Sequence, residues 1–228
     1  MKTIAIIQAR MGSTRLRGKS LMILSNYSLL ETVVRSVKRN TFISQVIIVT
    51  SNLAEDDAIQ ELCLDKGFEC YRGDSLDVLS RFIGVAETLE KEDTIVRVTA
   101  DNPINNHKAS KTVFDCHIEN NNDYTCVSGL SHIVYEFIKV EALLKLKNVE
   151  DLMADDREHV TMYIRQRPEI FKTSVISQDS LGLNSDLDKI LTIDRKEDYE
   201  RFMNIKQKIN LDDAINMSEL YGFLLQNT

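Results

Sequence analysis

The sequence predicts an α/β fold in which helices cover both faces of a mostly parallel sheet. Apolar, β-branched runs alternate from the first residues with segments whose apolar residues recur at helical spacing. The candidate strands are apolar almost throughout, as is typical of strands buried on both faces. The chain has 228 residues, of which 43% are hydrophobic, so it can bury a substantial core.

The amino-terminal elements follow from short apolar runs and from the residues that stop them. Residues 3–8 form a β-branched run that ends in a glycine-containing loop, and the apolar residues of 29–39 recur at helical spacing. The apolar run 45–50 predicts a second strand. A helix over 55–66 is expected to end at Gly67, because glycine commonly terminates helices.

The alternation continues through the middle of the chain. A short strand over 68–71 precedes a helix over 77–90, and the run 94–99 predicts a fourth strand, after which Pro103 prevents continuation. The next elements are a helix over 107–120 and a strand over 124–128. In a parallel sheet the loops that follow the strands meet at one edge, where ligands bind.

The carboxyl-terminal half is less regular. Residues 135–147 and 155–167 read as helices and 190–193 as a strand, and a helical tail from residue 196 includes a further helix over 217–225. Neither an internal repeat nor a Pro/Gly-rich linker interrupts the sequence. We therefore expect a single domain over 1–228, within which 129–170 is an acceptor-binding or dimerisation segment.

Composition narrows the class of protein. The formal net charge of −7 argues against broad nucleic-acid binding, which favours a basic face. Apolar stretches fall short of the roughly 18–20 residues that span a bilayer, and Met1 and Lys2 lead directly into a strand rather than into a signal peptide. We expect a cytoplasmic protein without a membrane partner. The four cysteines lack metal-ligand spacing, so they read as small hydrophobic residues.

The segment 8–19 carries the strongest functional signal. It follows the first strand, combines small and hydroxyl residues with four cations, and no acidic residue occurs before Glu31. Backbone N–H groups of such a loop can close around phosphate oxygens while arginine and lysine neutralise them. A basic surface loop is the alternative on this chemistry alone. The glycine spacing fits neither a P-loop nor a dinucleotide fingerprint.

Residues 8–16, followed by Gly18 and Lys19, resemble the nucleotide loop of the sugar-acid cytidylyltransferases. The resemblance is greatest to the branch named for a spore-coat polysaccharide protein, which is related to acylneuraminate and 3-deoxy-manno-octulosonate cytidylyltransferases. Arg17 stands where that family commonly has proline. The resemblance implies a three-layer, Rossmann-like nucleotidyltransferase fold of the GT-A-like type and a homodimer. It also implies CTP binding by Ala9, Arg10, Gly12, Ser13, Thr14, Arg15 and Lys19, with Arg10 and Lys19 also catalytic.

Two carboxylates stand directly after candidate strands. Asp101 lies where a side chain can enter the cleft and hold Mg²⁺, although a turn-forming role before Asn-Pro is equally open. The family's Arg-x-x-x-Asp-x-Pro pattern matches Arg97, Asp101 and Pro103, which implies that Asp101 is a metal ligand and Arg97 contacts the nucleotide. Asp194 resembles the family's second metal ligand, and a helix N-cap is its alternative. The resemblance therefore implies that Asp101 and Asp194 are catalytic and hold Mg²⁺.

The segment 71–82 matches the family pattern Arg-Gly-x-x-x-Asp-Val-Leu-x-Arg. In related enzymes this region lies near the base and ribose, which implies nucleotide binding by Arg72, Ser75 and Asp77. Arg81 has two interpretations, because it can belong to the site or pair with Asp77 four residues earlier on the same helix.

Two segments bear on the second substrate. Residues 156–168 resemble the family's Asp-Arg-Glu-His-Val-Thr-Pro-Tyr-Ile-Arg segment, with Met162 in place of its proline, and imply acceptor contacts from Arg157 and His159 or a dimer interface. Glu136 matches the glutamate of the family's Gly-x-Asp-x-Glu-x-Phe segment, whose acids face the acceptor, but the aspartate before it is lost or displaced.

The sequence thus predicts a Mg²⁺-dependent cytidylyltransferase that moves CMP from CTP to a small sugar acid and releases pyrophosphate, for surface polysaccharide or glycan synthesis. Two alternatives remain open. The altered segment 129–137 favours a phosphorylated or phosphonate acceptor, to which His132 and Lys139 would add positive charge. The chain could also be a catalytically inactive nucleotide-binding module, although the presence of both Asp101 and Asp194 argues against it.

Overall fold

The computed structural model describes residues 1–208 and Leu220. The strands in this part of the chain are β1 (Thr3–Gln8), β2 (Ile23–Leu24), β3 (Tyr27–Ser28), β4 (Gln45–Ser51), β5 (Glu69–Gly73), β6 (Thr94–Thr99), β7 (Tyr124–Val127), β8 (Glu136–Lys139) and β9 (Thr173–Ile176). The helices are α1 (Leu29–Lys38), α2 (Asp57–Lys66), α3 (Val78–Ala86), α4 (His107–Glu119), α5 (Val140–Lys145), α6 (Ala154–His159), α7 (Met162–Arg165), α8 (Asp186–Leu191) and α9 (Lys196–Lys208).

A seven-stranded sheet with the order β5-β4-β1-β6-β8-β7-β9 forms the centre of the described chain. Strands β5, β4, β1 and β6 are parallel, β8 is antiparallel to both of its neighbours, and β9 is parallel to β7. The mostly parallel sheet predicted from the sequence is therefore confirmed. The four parallel strands end at the same edge of the sheet, and β8 begins there because Glu136 pairs with Arg97.

Helices pack on both faces of the sheet, as predicted. Ala5 and Ile7 of β1 lie in a core with residues of α1, α4 and α8, which defines the α1 face. Ile4 and Ile6 point the other way, into a core with residues of α3, α5 and α7, which defines the α3 face. All four side chains are 0% exposed, and burying each contributes about 1.5–3 kcal/mol.

Neighbouring residues in the sequence explain where α1 begins and where α2 ends. The backbone N–H of Glu31 donates to Ser28 Oγ at 3.2 Å while Ser28 N–H donates to Glu31 Oε2 at 2.9 Å, so a capping box begins α1. Gly67 ends α2 with φ of +65°, a left-handed conformation that glycine adopts without a steric penalty.

Two predicted elements of the second half are wrong. The expected helix over 135–147 begins as the strand β8, because residues 136–139 pair with β6 and only α5 after them is helical. No strand forms over 190–193: residues 190–191 end α8, in which Leu187 and Leu191 face the core one helical turn apart, and residues 192–193 are neither helix nor strand. Asp194 therefore follows a helix and not a strand.

The remaining differences are smaller. The helix expected over 155–167 is divided into α6 and α7, and β2, β3 and β9 were not predicted from the sequence. The helix expected over 217–225 lies outside the described residues, with the exception of Leu220. Within residues 1–208, no helix is both long enough and apolar enough to cross a membrane.

Candidate active-site cleft

A cleft of about 510 Å³ opens at the carboxyl edge of the parallel strands. The loops after β1 and β6, the start of β8 and the segment joining α6 to α7 form its walls. The structure brings most of the predicted site residues together here. Those that line the cleft are Ala9, Arg10, Ser13, Thr14, Arg15, Lys19, Arg97, Asp101, Glu136, His159 and Asp194.

Five predicted residues, Gly12, Arg72, Ser75, Asp77 and Arg157, do not line the cleft. A Cβ on Gly12 would meet only the carboxylate end of the Glu55 side chain, which can turn away. The geometry gives Gly12 no packing role of its own, and its contact with nucleotide stays a prediction.

Arg72 fastens the end of β5 to its neighbours. Its Nη1 donates to Asp57 Oδ1 and to Gln60 Oε1, both at 2.6 Å, and its Nε donates to the carbonyl oxygen of Ser51 at 2.8 Å. These contacts account for the guanidinium without a ligand. The predicted nucleotide contact of Arg72 has no support in this geometry.

Asp77 and Arg157 contact each other. Arg157 Nη1 lies 2.6 Å from Asp77 Oδ2, and Asp77 Oδ1 accepts the backbone N–H of Ser80 at 2.8 Å as the N-cap of α3. This pair ties α3 to α6. Asp77 is therefore occupied by Arg157 and the helix end. Within residues 1–208 no direct ion pair joins Arg81 to Asp77, although the Asp77 charge acts on Arg81.

The basic loop 8–19 is closed by its own backbone and by Asp56. The N–H groups of Ser13 and Gly18 both donate to the carbonyl of Met11 at 2.9 Å, and Gly18 adopts φ of +74°. Asp56, 1% exposed, accepts Met11 N–H through Oδ1 at 2.6 Å and Ser51 N–H through Oδ2 at 3.1 Å. Asp56 Oδ2 also accepts a hydrogen bond from the Ser51 hydroxyl. Asp56 thus anchors the loop to β4, a role that the sequence did not reveal.

Two distant carboxylates converge on one ammonium. Lys19 Nζ lies 2.7 Å from Asp194 Oδ1 and 3.2 Å from Asp101 Oδ2, and it also donates to the carbonyl of Ile193 at 3.0 Å. Arg15 Nη2 lies 3.0 Å from the other oxygen of Asp194. Burial would raise the pKa of Asp101, but the charges of Lys19 and His132 together with hydrogen bonds to the carboxylate outweigh it and hold that pKa below its ordinary value.

The donors around this ammonium fit a hard divalent cation. Oδ1 of Asp101 is buried without a hydrogen-bond partner, and Asp194 supplies a second carboxylate within reach of the same centre. Within the described residues no group of three or more His, Cys, Asp or Glu side chains forms a metal cage. Two carboxylates suit Mg²⁺, which commonly takes its other ligands from substrate phosphates and water.

Asp188 organises the opposite rim. Its carboxylate accepts the backbone N–H groups of Ser131, His132 and Ile133 at 2.6, 3.1 and 2.9 Å. His132 Nδ1 lies 3.3 Å from Asp188, and its Nε2 lies 4.0 Å from Asp101 Oδ1. Burial would lower the pKa of His132, but Asp188 and Asp101 raise it above its ordinary value. The sequence showed that segment 129–137 departs from the family pattern, but it did not reveal that Asp188 binds the backbone of this segment.

The wall expected to face the acceptor is held by a buried network. Glu136, 2% exposed, accepts from Arg97 Nη1 at 3.3 Å and from the Thr161 hydroxyl at 2.9 Å. Thr161 follows Val160, whose φ of +55° and ψ of −54° bring Thr161 N–H to 2.5 Å from the carbonyl of His159. Such a tight turn is strained for a β-branched residue.

A Rossmann-like sheet with a basic loop after its first strand and paired carboxylates in the same cleft defines an α/β nucleotidyltransferase. The chain belongs to the cytidylyltransferase family, whose sequence model matches residues 4–217. The family predicted from the sequence is confirmed.

Relatives in sequence and structure agree with this assignment. The chain is 33% identical to the spore coat polysaccharide biosynthesis protein SpsF of Bacillus subtilis, with 97% of this chain and 93% of that protein covered. It is 21% identical to a 3-deoxy-manno-octulosonate cytidylyltransferase of Fusobacterium nucleatum over 100% of this chain and 98% of that protein. A cytidylyltransferase structure from Leptospira borgpetersenii, 26% identical, superposes with a TM-score of 0.84 and covers 100% of this chain and 95% of the other.

Proposed function

We propose that this chain is a Mg²⁺-dependent cytidylyltransferase that transfers CMP from CTP to a small sugar acid and releases pyrophosphate. The convergence of Asp101 and Asp194 on Lys19, the last cation of the basic loop, carries the proposal. The 3-deoxy-manno-octulosonate cytidylyltransferase among its relatives supports the sugar-acid class. A product of this kind serves surface polysaccharide or glycan synthesis, in line with the relative described as a spore coat polysaccharide biosynthesis protein.

The basic loop would bind the triphosphate. Arg10, Arg15 and Lys19 line the cleft with the hydroxyl groups of Ser13 and Thr14, so charge and hydrogen bonds are both available to phosphate oxygens. The backbone at Ala9 and the side chain of Arg97 lie along the same cleft and would contact the nucleotide. When the triphosphate binds, Arg15 and Lys19 would give up part of their ion pairing with Asp194 and contact phosphate oxygens instead.

Asp101 and Asp194 would hold Mg²⁺, which neutralises phosphate oxygens and stabilises the charge that develops during transfer. The acceptor hydroxyl then attacks the α-phosphorus in line, a new O–P bond forms, and the bond to the β-phosphate oxygen breaks. Pyrophosphate leaves and the hydroxyl proton passes to water. Arg10 and Lys19 would stabilise the leaving group, because positioning and electrostatics supply most of the rate in such transfers.

The acceptor would occupy the end of the cleft that Glu136 and His159 line, whereas Arg157 would act through α6. We further propose a single domain over 1–228 that works in the cytoplasm as a homodimer, with 129–170 as its acceptor and dimerisation segment.

A phosphorylated or phosphonate acceptor is the second candidate. His132 lines the cleft, and its pKa is raised by Asp188 and Asp101 despite burial. A protonated imidazole at this rim would favour an anionic acceptor with more than one negative charge.

The test is pyrophosphate release from CTP, UTP, ATP and GTP with Mg²⁺, against sugar acids, sugar phosphates and phosphonates. We expect CTP-selective release with a sugar acid, abolished in Asp101→Asn and kept in Asp115→Asn, whose carboxylate pairs with Lys111 on the surface of α4. Release with a phosphonate alone would favour the second candidate. CTP binding without release from any acceptor would instead indicate the nucleotide-binding module.

A further inference from the structure

Two cysteine side chains lie against each other outside the cleft lining. Cys63 belongs to α2 and is 1% exposed, whereas Cys70 belongs to β5 and is partly exposed. Both thiols are free, and they form a hydrogen bond with each other. Both pack in the core of the α1 face, and the proposed function uses neither of them.

The pairing of β5 with β4 fixes the side from which the Cys70 thiol projects. Cys70 is in register with Ile48, whose side chain is buried in the core of the α1 face. Arg72 stands two residues after Cys70, so the two side chains project from the same face of the strand. Arg72 donates to Asp57 and Gln60 of α2, so this face of β5 lies against that helix. The Cys70 thiol therefore projects toward the next turn of α2.

That turn carries Cys63, three residues after Gln60 on the helix. Gly67 ends α2 with φ of +65°, and the chain returns at once as β5. The backbone N–H of Phe68 donates to the carbonyl oxygen of Cys63 at 2.8 Å, which holds the start of the strand against the last turn of the helix. The contact between the thiols of Cys63 and Cys70 thus follows from the local path of the chain over residues 63–70.

The two thiols differ in reactivity. The hydrogen bond from Cys63 and the charge of Arg72 lower the pKa of Cys70, although burial acts in the opposite direction. The same hydrogen bond, together with burial, raises the pKa of Cys63 above its ordinary value. An oxidant that arrives from solvent therefore meets the more reactive sulfur at Cys70 and leaves the Cys63 thiol beside it.

We propose that Cys63 and Cys70 are a redox modification site, at which hydrogen peroxide converts the two thiols into a reversible disulfide. The Cys70 thiolate attacks the peroxide, so that an S–O bond forms, the O–O bond breaks and hydroxide leaves. The Cys63 sulfur then attacks the Cys70 sulfenic acid, so that the S–S bond forms and the S–O bond breaks. The hydroxyl group leaves as water with the proton of Cys63. The two thiols lose two electrons in total, and the peroxide is reduced to two molecules of water.

The disulfide would fasten an outer strand of the sheet. In the part of the chain that the structure describes, β5 stands at the end of the strand order and pairs with β4 alone. An S–S bond of about 2.05 Å would close residues 63–70 into a covalent ring that joins β5 to α2. Such a ring restricts the unfolded chain, so the oxidised protein should resist unfolding better than the reduced one.

Mass spectrometry of the whole chain and of its peptides, after mild treatment with hydrogen peroxide, tests the inference. The unaltered protein would be compared with Cys63→Ala and Cys70→Ser in the presence of dimedone, which traps sulfenic acids. Cys116→Ser is the matched control, because Cys116 is also partly exposed but its sulfur lies 3.6 Å from the Asn120 amide nitrogen. Thermal unfolding of each protein would be recorded before and after oxidation.

We expect the unaltered protein and Cys116→Ser to form a disulfide between Cys63 and Cys70 that dithiothreitol reverses. Cys63→Ala should instead carry dimedone on Cys70, at a yield at least about tenfold above that of the unaltered protein, because no second thiol resolves the sulfenic acid. Oxidation should raise the melting temperature of the unaltered protein by about 4–10 °C. Cys70→Ser should show neither the disulfide nor this rise.

Three results would overturn the inference: free thiols at both positions after Cys116 has been oxidised, a disulfide that joins Cys70 to a cysteine other than Cys63, or equal trapping on Cys70 in the unaltered protein and in Cys63→Ala. Should Cys63→Ala fail to fold, Cys70→Ser changes a partly exposed side chain and still tests the disulfide. A disulfide that leaves the melting temperature unchanged would overturn its part in holding β5. Because neither cysteine lines the cleft, all of these results leave the proposed function intact.

Discussion

Lys19 Nζ and Asp194 Oδ1 lie 2.7 Å apart although 175 residues separate them in the chain. This ion pair joins the first loop of the protein to the segment that follows α8, and Asp101 contacts the same ammonium. The lysine lies between the two carboxylates, in a position that is favourable for a cation. Lysine and Mg²⁺ are therefore expected to compete for the two carboxylates until phosphate draws the lysine away.

The first prediction follows from this competition. Lys19→Met should bind Mn²⁺, used as a spectroscopic probe, more tightly than the unaltered protein when nucleotide is absent, because the ammonium no longer offsets both carboxylates. The same variant should lose turnover by at least about a hundredfold, since a preorganised charge at the phosphates is removed. Paramagnetic resonance measures the first effect and pyrophosphate release the second. Weaker Mn²⁺ binding in Lys19→Met would contradict the competition. Lys111→Met, which removes a surface ammonium paired with Asp115 on α4, is the control and should change neither quantity.

Asp56 is predicted to position the basic loop. Asp56→Asn replaces a buried carboxylate that accepts from Met11 N–H and Ser51 N–H, so about 1–3 kcal/mol of the free energy of unfolding should be lost. The Michaelis constant for CTP should rise more than the turnover number falls, because the loop is displaced while Lys19 and Asp101 remain. Asp57→Asn removes the adjacent half-exposed carboxylate, which pairs with Arg72, and should affect CTP far less.

How much the sequence could predict depends on the range of the interaction. Local patterns located β1 and α1 and predicted the mostly parallel sheet. These predictions succeeded because the spacing of apolar residues along a strand or helix depends only on neighbouring positions in the sequence. The resemblance placed Asp101 and Asp194 together in one cleft. The pairing of β8 with β6 was missed since it depends on residues about 40 positions apart in the chain.

Site details failed for a related reason. Asp56 and Asp188 act through backbone N–H groups of distant loops, and such contacts leave no spacing in the sequence. The sequence offered Arg81, four residues later, as the cationic partner of Asp77. Helical spacing could not reveal that Arg157, on another helix, forms the ion pair instead. The strained turn at Val160 lacks the glycine that usually signals a positive φ.

Val160 gives a prediction about strain. Its side chain is 0% exposed, so Val160→Ala should destabilise the protein by removing buried methyl groups. Val160→Gly removes one carbon more but tolerates φ of +55°, so it should be about 1 kcal/mol more stable than Val160→Ala, the reverse of the usual order. Urea unfolding of the two variants measures the difference. An alanine variant more stable than the glycine variant would show that the turn is not strained.

His117 gives a prediction about acid stability. It is 2% exposed, and burial lowers its pKa to about 4, with the nearby Asp123 and Lys139 acting in opposite directions. The unfolded chain, in which a histidine has a pKa of about 6.5, therefore binds more protons between these values. The free energy of unfolding should fall as the pH falls through this window, by up to about 1.4 kcal/mol per pH unit for each such histidine.

The variant His117→Gln removes one titrating group. The change it causes in the pH dependence of the free energy of unfolding is therefore the contribution of His117. His107, whose pKa burial also lowers to about 4, remains in the variant, so the histidine contribution between pH 4.5 and 6 should fall to about half. Glutamine can still hydrogen-bond the Thr125 hydroxyl, which lies 3.0 Å from His117 Nδ1, so stability at pH 7.5 should change much less than the slope. Urea unfolding across this pH range measures both quantities. An unchanged slope would mean that His117 binds its proton equally in the folded and unfolded chains, which its burial against Phe137 argues against.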